Sequence, residues 1–178
     1  GGVINLSRSR PTQELSGKAR VTYGRFNTLD AQGVVSFGLA PNVAMKLTGA
    51  YNVSDGYIFN RTQGKDGQKS DFSAVGAMIL ITPTDGLEIS ANYDHQLTRQ
   101  AAPQLIAVNK STDLFCAAYR QCSPAPGVSV SGNPYVSLGD GPIDKSARFE
   151  LDMAIGKVKY DLSDDYELQY ILGYLKTS

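Results

Sequence analysis

A chain of 178 residues with 17 basic and 17 acidic side chains has no cationic excess to hold a nucleic-acid backbone and no one-signed charge of an acidic tail. Apolar residues make up 42%, with ten Tyr, 18 Gly, no Trp and a single His, a balance that suits strands apolar on one side only. No run approaches the roughly 18 consecutive apolar residues of a membrane-spanning helix, but a spanning strand needs only about 9–11 residues with every second one apolar.

The opening Gly1-Gly2-Val3-Ile4-Asn5-Leu6 has neither an initiator Met nor the basic and apolar regions of a signal peptide. Period-2 alternation, the mark of a strand with unlike faces, begins after it. Ala19, Val21 and Tyr23 alternate with Lys18, Arg20 and Thr22 in the first strand. Ala31, Gly33, Val35, Phe37 and Leu39 alternate with Asp30, Gln32, Val34, Ser36 and Gly38 in the second. Ala40-Pro41-Asn42 is a tight turn, because Pro sets φ and Asn tolerates turn geometry. The third strand sets Val43, Met45, Leu47, Gly49, Tyr51 and Val53 against Ala44, Lys46, Thr48, Ala50 and Asn52.

Residues 54–69 form a polar loop. The fourth strand starts near Ser70, with Phe72, Ala74, Gly76, Met78 and Leu80 on the apolar side and Asp71 and Ser73 opposite. Pro83-Thr84-Asp85-Gly86 is the second short turn. In the fifth strand Leu87, Ile89, Ala91 and Tyr93 oppose Glu88, Ser90, Asn92 and Asp94. The pattern dissolves over residues 97–146, which hold most of the prolines and both cysteines; a short helix within residues 105–119, capped at Ser111-Thr112-Asp113, would be a loop decoration. Alternation resumes at Arg148, where Phe149, Leu151, Met153 and Ile155 share a side. Val158 and Tyr160 fall on the other, which a bulge near residues 154–156 would reconcile. After the turn at Asp161-Leu162-Ser163-Asp164-Asp165, Tyr166, Leu168, Tyr170, Leu172 and Tyr174 oppose Glu167, Gln169, Ile171 and Gly173.

Short turns and long loops alternate along the chain, so hairpin reversal puts the short ones at one end of the sheet and the long ones at the other. Transmembrane β-barrels have this asymmetry. The outward sides of the second, third, fourth, fifth and seventh strands carry no charge. Inward positions hold Asp30, Gln32, Lys46, Thr48, Asn52, Asp71, Glu88, Asn92, Asp94, Glu167 and Gln169. Lipid makes no hydrogen bonds, so charge belongs on the watery side. Tyr23, Tyr51, Tyr93, Tyr166 and Tyr174 lie near strand ends, where an aromatic girdle sits. The expected fold is therefore an all-β, antiparallel transmembrane barrel. Seven strands do not close a bacterial barrel, so the chain reads as part of a larger one. A one-sided sheet in a soluble secreted β-sandwich would show the same alternation, and a passive porin the same loop asymmetry.

Catalytic chemistry finds no support. His95 lies next to Asp94, but no activated Ser or Cys is spaced to join them, and a hydrogen-bonded strand residue is the plainer reading. Cys116 and Cys122, with no nearby His, make a poor zinc site; a small disulfide-closed loop in an oxidising compartment or two unpaired thiols remain. No metal or cofactor is expected. Asn60-Arg61-Thr62 matches a glycosylation sequon that has no meaning in a bacterial source. Gly49 and Gly76 are close-packing positions rather than phosphate cradles, since no helix follows them.

Gly1-Gly2-Val3-Ile4-Asn5-Leu6 followed by Arg10-Pro11-Thr12 resembles the end of the plug domain of TonB-dependent outer-membrane receptors. Leu15-Ser16-Gly17-Lys18 through Tyr23-Gly24 is similar to the first barrel strand of that family, and Asp55-Gly56-Tyr57-Ile58-Phe59-Asn60 to its second external loop. Leu80-Ile81-Thr82-Pro83-Thr84-Asp85-Gly86-Leu87 resembles the following hairpin, and Tyr160-Asp161-Leu162 the turn before strand seven. The resemblance spans nearly the whole chain and is weakest over residues 97–146. It implies that residues 1–13 end a plug and that residues 14–178 form roughly the first seven of about 22 barrel strands, a lumen so wide that it must be plugged. It further implies a bacterial outer-membrane location among lipid and lipopolysaccharide, and uptake of a scarce solute: a ferric siderophore first, cobalamin or a saccharide otherwise. Energy would come from the TonB-ExbB-ExbD complex acting through plug residues that this sequence lacks. Ligand contacts would come from the external loops, with Tyr57, Phe59, Asn60, Arg61, Tyr119 and Arg120 as candidates, because an aromatic beside a cation suits an aromatic anion. The alternative is that these are ordinary loop residues.

Overall fold

The structure is a computed structural model that describes residues 8–102, 133, 135–137, 143, 144 and 147–178. The expected plug motif at residues 1–6, the short helix within residues 105–119 and the Cys116–Cys122 pair all lie outside the described residues.

Seven long strands form one antiparallel sheet: β1 (Ser16–Gly24), β2 (Thr28–Ala40), β3 (Val43–Ser54), β6 (Ser70–Thr84), β7 (Leu87–Gln100), β9 (Ala147–Ser163) and β10 (Tyr166–Thr177). They lie side by side in chain order, an up-and-down meander in which every long strand pairs with the next. Three short strands, β4 (Ile58–Asn60), β5 (Lys65–Gly67) and β8 (Val136–Ser137), make a second sheet from the two long loops, in the order β5-β4-β8 with β4 and β8 parallel. All seven long strands expected from the alternation are therefore present, and the described residues form an open sheet rather than a closed barrel.

The short turns fall where Pro, Asn, Asp and Gly interrupt the alternation, and Gly86 takes a left-handed φ of 80°. Three register shifts, at Gly38/Ala40, Ile81/Thr84 and Tyr166/Glu167, all lie at this short-turn end. The second falls beside Pro83, which has no N–H for the ladder. At the opposite end, β1 and β2 are joined by only Arg25–Asn27. The separation of short turns from long loops thus has one exception, a tight hairpin at the loop end.

Cross-strand register decides which residues share a face, since directly paired residues point the same way. Ala19, Gly33, Gly49, Val75, His95, Asp152 and Lys176 lie in one such row. This face also holds Val35, Leu47, Ala77, Tyr93, Ala154 and Tyr174, and nearer the short turns Phe37, Met45, Ile79, Ala91, Gly156 and Leu172. It is uncharged through the lower rows. Toward the loops it stays apolar on β1–β3, up to Tyr23, Leu29 and Val53, but turns polar on β6–β10 with Asp71, Arg99, Arg148, Glu150, Asp152 and Lys176.

Two expectations about facing are corrected. Phe72, Ala74, Gly76, Met78 and Leu80 share the face of Lys46 and Thr48, whereas Asp71 pairs with Val53 and Arg99 on the apolar face. In β9 the pairing with β7 runs from Ala147 to Tyr160 without a shift, so the bulge near residues 154–156 does not exist. Phe149, Leu151, Met153 and Ile155 lie on the face of Glu88 and Asp94, and Val158 and Tyr160 on the apolar one. Both strands are apolar on both sides for several residues, so alternation alone could not orient them; the turn lengths and bulges did.

Among the described residues no hydrophobic core backs the sheet. Among the described residues the buried apolar side chains are Ala44, Ile58, Ala101 and Ile143, while Val21, Val75, Tyr93, Leu168, Tyr170, Leu172 and Tyr174 are exposed. The apolar face is a continuous uncovered surface, far beyond the scattered apolar residues of an ordinary exterior.

Candidate functional site

The polar face carries Lys18, Arg20, Asp30, Gln32, Lys46, Thr48, Asn52, Glu88, Asn92 and Asp94, each placed there by the period of its strand. Across it runs the segment that precedes β1. Arg8 pairs with Asp94 of β7, and Arg10 with Glu88 of the same strand. The Lys46 ammonium donates to the Ser9 carbonyl and, at 3.2 Å, to the Ser9 hydroxyl. Farther on, the Thr12 N–H donates to Ser36 Oγ at 2.7 Å, and the Gly38 N–H to the Gln13 carbonyl at 2.9 Å. The segment is thereby fastened to β7, β3 and β2 in turn.

Two glycines make this close approach possible. A Cβ at Gly38 would lie 2.9 Å from the Gln13 carbonyl oxygen, and one at Gly76 would lie 2.6 Å from both Asp94 Oδ1 and Thr48 Oγ1. Gly76 is therefore a close-packing position, as expected. Gly49 is not, since its nearest neighbour, the Ala74 carbonyl, is 4.0 Å away.

Beside the segment, a cleft of about 400 Å³ opens between Lys18, Arg20, Gln32, Thr48, Asp94 and Gln96. Arg20 lies 3.7 Å from Asp30, which also accepts from Gln32 and Asn52. Lys159, on β9, pairs with Glu167 at 2.9 Å. Charged groups of both signs line this face, and among the described residues no group of three or more His, Cys, Asp or Glu is set to hold a metal.

His95 does not pair with Asp94, which points to the other face. Its Nδ1 lies 2.8 Å from Asp152 Oδ1, and the Tyr93 hydroxyl donates to the same oxygen at 2.6 Å. This is the hydrogen-bonded strand residue anticipated, with a partner 57 residues away that local reading could not name.

The loop candidates separate by exposure. Tyr57 and Phe59 are 49% and 43% exposed, whereas Asn60 is 0% exposed and accepts the Gln63 N–H at 2.9 Å. Asn60 is thus placed to shape its loop rather than to touch a ligand. The Phe59 N–H donates to the Tyr135 carbonyl and the Arg61 N–H to the Ser137 carbonyl, both at 2.9 Å, which ties the two long loops together. Tyr119 and Arg120 lie outside the described residues. Sequence reading overlooked Arg8 as a wall contact and Arg25 and Phe26 at the loop end; the Arg8–Arg10 spacing of two, which puts both on one side of an extended segment, was the signal for the first.

No helix among the described residues is long and apolar enough to cross a membrane. No protein-family model matches the chain, and no solved structure matches it.

Proposed function

We propose that this chain is part of the wall of a bacterial outer-membrane receptor that takes up a scarce solute, a ferric siderophore being the first expectation, by the TonB-dependent route. The observation that carries the reading is the division of labour between the two faces of one sheet. One face is apolar away from the loops and, among the described residues, has nothing over it; the other is charged and has the Arg8–Gln13 stretch fastened across it. Lipid would cover the first, and a water-filled, plugged lumen would meet the second. The polar boundary of the apolar face also steps three rows down between β3 and β9, from beyond Val53 to Asp152. A drift of that kind supports strands tilted to a membrane plane, as barrel closure requires.

On this reading residues up to 13 end the plug, the loop end faces outward, and Tyr57 and Phe59 are ligand contacts with Asn60 positioning them. Energy would arrive from the TonB-ExbB-ExbD complex through the plug. The chain has no catalytic role in this scheme. A passive porin would share the wall but would conduct ions without an energy source.

The test uses the full-length protein in its own cells. Recovery only with detergent from the outer-membrane fraction, and iron-chelate accumulation that stops when the TonB complex is deleted, is the expected result. Recovery from the periplasm without detergent would overturn the membrane reading in favour of a secreted β-sandwich, and uptake indifferent to the TonB complex would point to the porin.

A further inference from the structure

The tight hairpin between β1 and β2 is strained. Phe26 has φ 62° and ψ 32°, and Asn27 has φ 51°. Left-handed backbone is costly for any residue with a Cβ and rare for a bulky one, and hairpins of this shape ordinarily place Asn or Gly there. Asn27 fits the position. Phe26 does not, and yet the surroundings hold it: the Tyr23 hydroxyl donates to Asn27 Oδ1 at 2.7 Å, Asn27 Nδ2 donates to Asp55 Oδ2 at 2.7 Å, and the Asp55 N–H donates to the Phe26 carbonyl at 3.1 Å.

Strain of this kind is not offset by burial of the ring, because Phe26 is 43% exposed. What the conformation achieves is placement. The Phe26 ring sits 6.3 Å from the Tyr57 ring at a tilt of 57°, and the Arg25 guanidinium lies 5.2 Å from the Phe26 centroid. Arg25 makes no ion pair among the described residues and is exposed. Two aromatic rings at an angle, open to solvent and beside an exposed cation, match a flat aromatic anion: the ring stacks and the guanidinium meets the charge.

We propose that Arg25, Phe26 and Tyr57 form a stacking site for a planar aromatic anion at the loop end of the sheet, with the hairpin held in a strained backbone to present the Phe26 ring. The site rests on the uptake reading for its biological ligand, an iron chelate built from aryl groups, but not for its chemistry.

Two probes separate these. Ferric tris(2,3-dihydroxybenzoate) is anionic and carries three arene rings; ferric tris(acetohydroxamate) is neutral and carries none. With the full-length protein in detergent, the native chain is expected to bind the arene chelate roughly tenfold more tightly than the hydroxamate, as one well-made stacking contact provides. Phe26→Gly removes the ring and relieves the left-handed strain together. It is expected to abolish the preference while the unfolding temperature stays level or rises. Phe26→Tyr keeps a ring under the same strain and is expected to keep the preference.

A native protein without preference, or a Phe26→Gly protein that retains it, overturns the proposal. A Phe26→Gly protein that loses both binding and thermal stability also overturns it, because the ring would then be packing. Failure of the uptake reading appears elsewhere, in the fractionation and TonB-deletion experiments, and leaves the arene preference measurable.

Discussion

Gly38 and Gly76 are the positions at which the polar wall has no room for a methyl group, and each guards a different contact. At Gly38 both the side chain and the carbonyl oxygen of Gln13 obstruct, and the carbonyl cannot swing aside as the side chain can. Gly38→Ala should therefore lift the Gln13 end of the crossing segment, at a cost of about 1–3 kcal/mol typical of overpacking. The measurement is amide exchange at Thr12, whose N–H rests on Ser36 Oγ; unchanged protection there would contradict the assignment. At Gly76 the obstructing atoms belong to the Asp94 and Thr48 side chains. Gly76→Ala is expected to be milder, and its effect should vanish in a background of Asp94→Ala with Thr48→Ala, where both crowding atoms are gone.

At the scale of elements, the crossing segment and the loop sheet are held in different ways. Arg8 and Arg10 are 45% and 60% exposed in their side chains, so their ion pairs with β7 are partly screened and each contributes on the order of 1 kcal/mol or less. Removing both carboxylates with Glu88→Gln and Asp94→Asn should loosen the segment without unfolding the sheet. A spin label at Ser9 would read this as increased mobility, and equal mobility in the native and doubly substituted proteins would count against the pinning. The loop sheet instead depends on a buried amide. Asn60→Ala would remove the acceptor of the Gln63 N–H bond, a loss of about 1 kcal/mol. The expected signature is faster exchange at the Phe59 and Arg61 amides, which bridge to Tyr135 and Ser137, with β3 and β6 unaffected.

For the molecule as a whole, the decisive question is whether the apolar face meets lipid. Leu47 and Thr48 are adjacent on β3 and point to opposite sides. In the membrane reading Leu47→Arg puts a charge into hydrocarbon, at about 2–4 kcal/mol near mid-depth, whereas Thr48→Arg enters the wet lumen and costs about 1 kcal/mol or less. Urea unfolding of the full-length protein in lipid vesicles measures both. Equal costs would argue that lipid touches neither face. In the membrane reading, Phe149, Leu151, Met153 and Ile155, together with Phe72, Met78 and Leu80, would make part of the lumen side apolar. A plug packed there would cover them, which is why that patch belongs to the same reading.

The seven long strands were legible, whereas the short β4, β5 and β8 lie in stretches read as loops. The alternation of Ala19, Val21 and Tyr23 with Lys18, Arg20 and Thr22, or of Ile89, Ala91 and Tyr93 with Ser90, Asn92 and Asp94, is a consequence of backbone pleat, a local property written residue by residue. So were the turns at Pro41-Asn42 and Asp85-Gly86, where the chain's own φ preferences act. Facing was legible only where one side was plainly polar, as in β3, β7 and β10. For β6 and β9 it was decided by register, because a shift of a single residue inverts a whole strand and both of their sides tolerate either environment. The grip of Arg8 on Asp94, the sharing of Asp152 by Tyr93 and His95, and the joining of β4 to β8 connect residues distant in the chain. Period and propensity by themselves determined the seven long strands and the short turns at Pro41-Asn42, Asp85-Gly86 and Asp164-Asp165. Only the tertiary structure decided which side each ambiguous strand shows, what crosses the polar face and how the loops meet, because those outcomes depend on pairing across space rather than on neighbours in sequence.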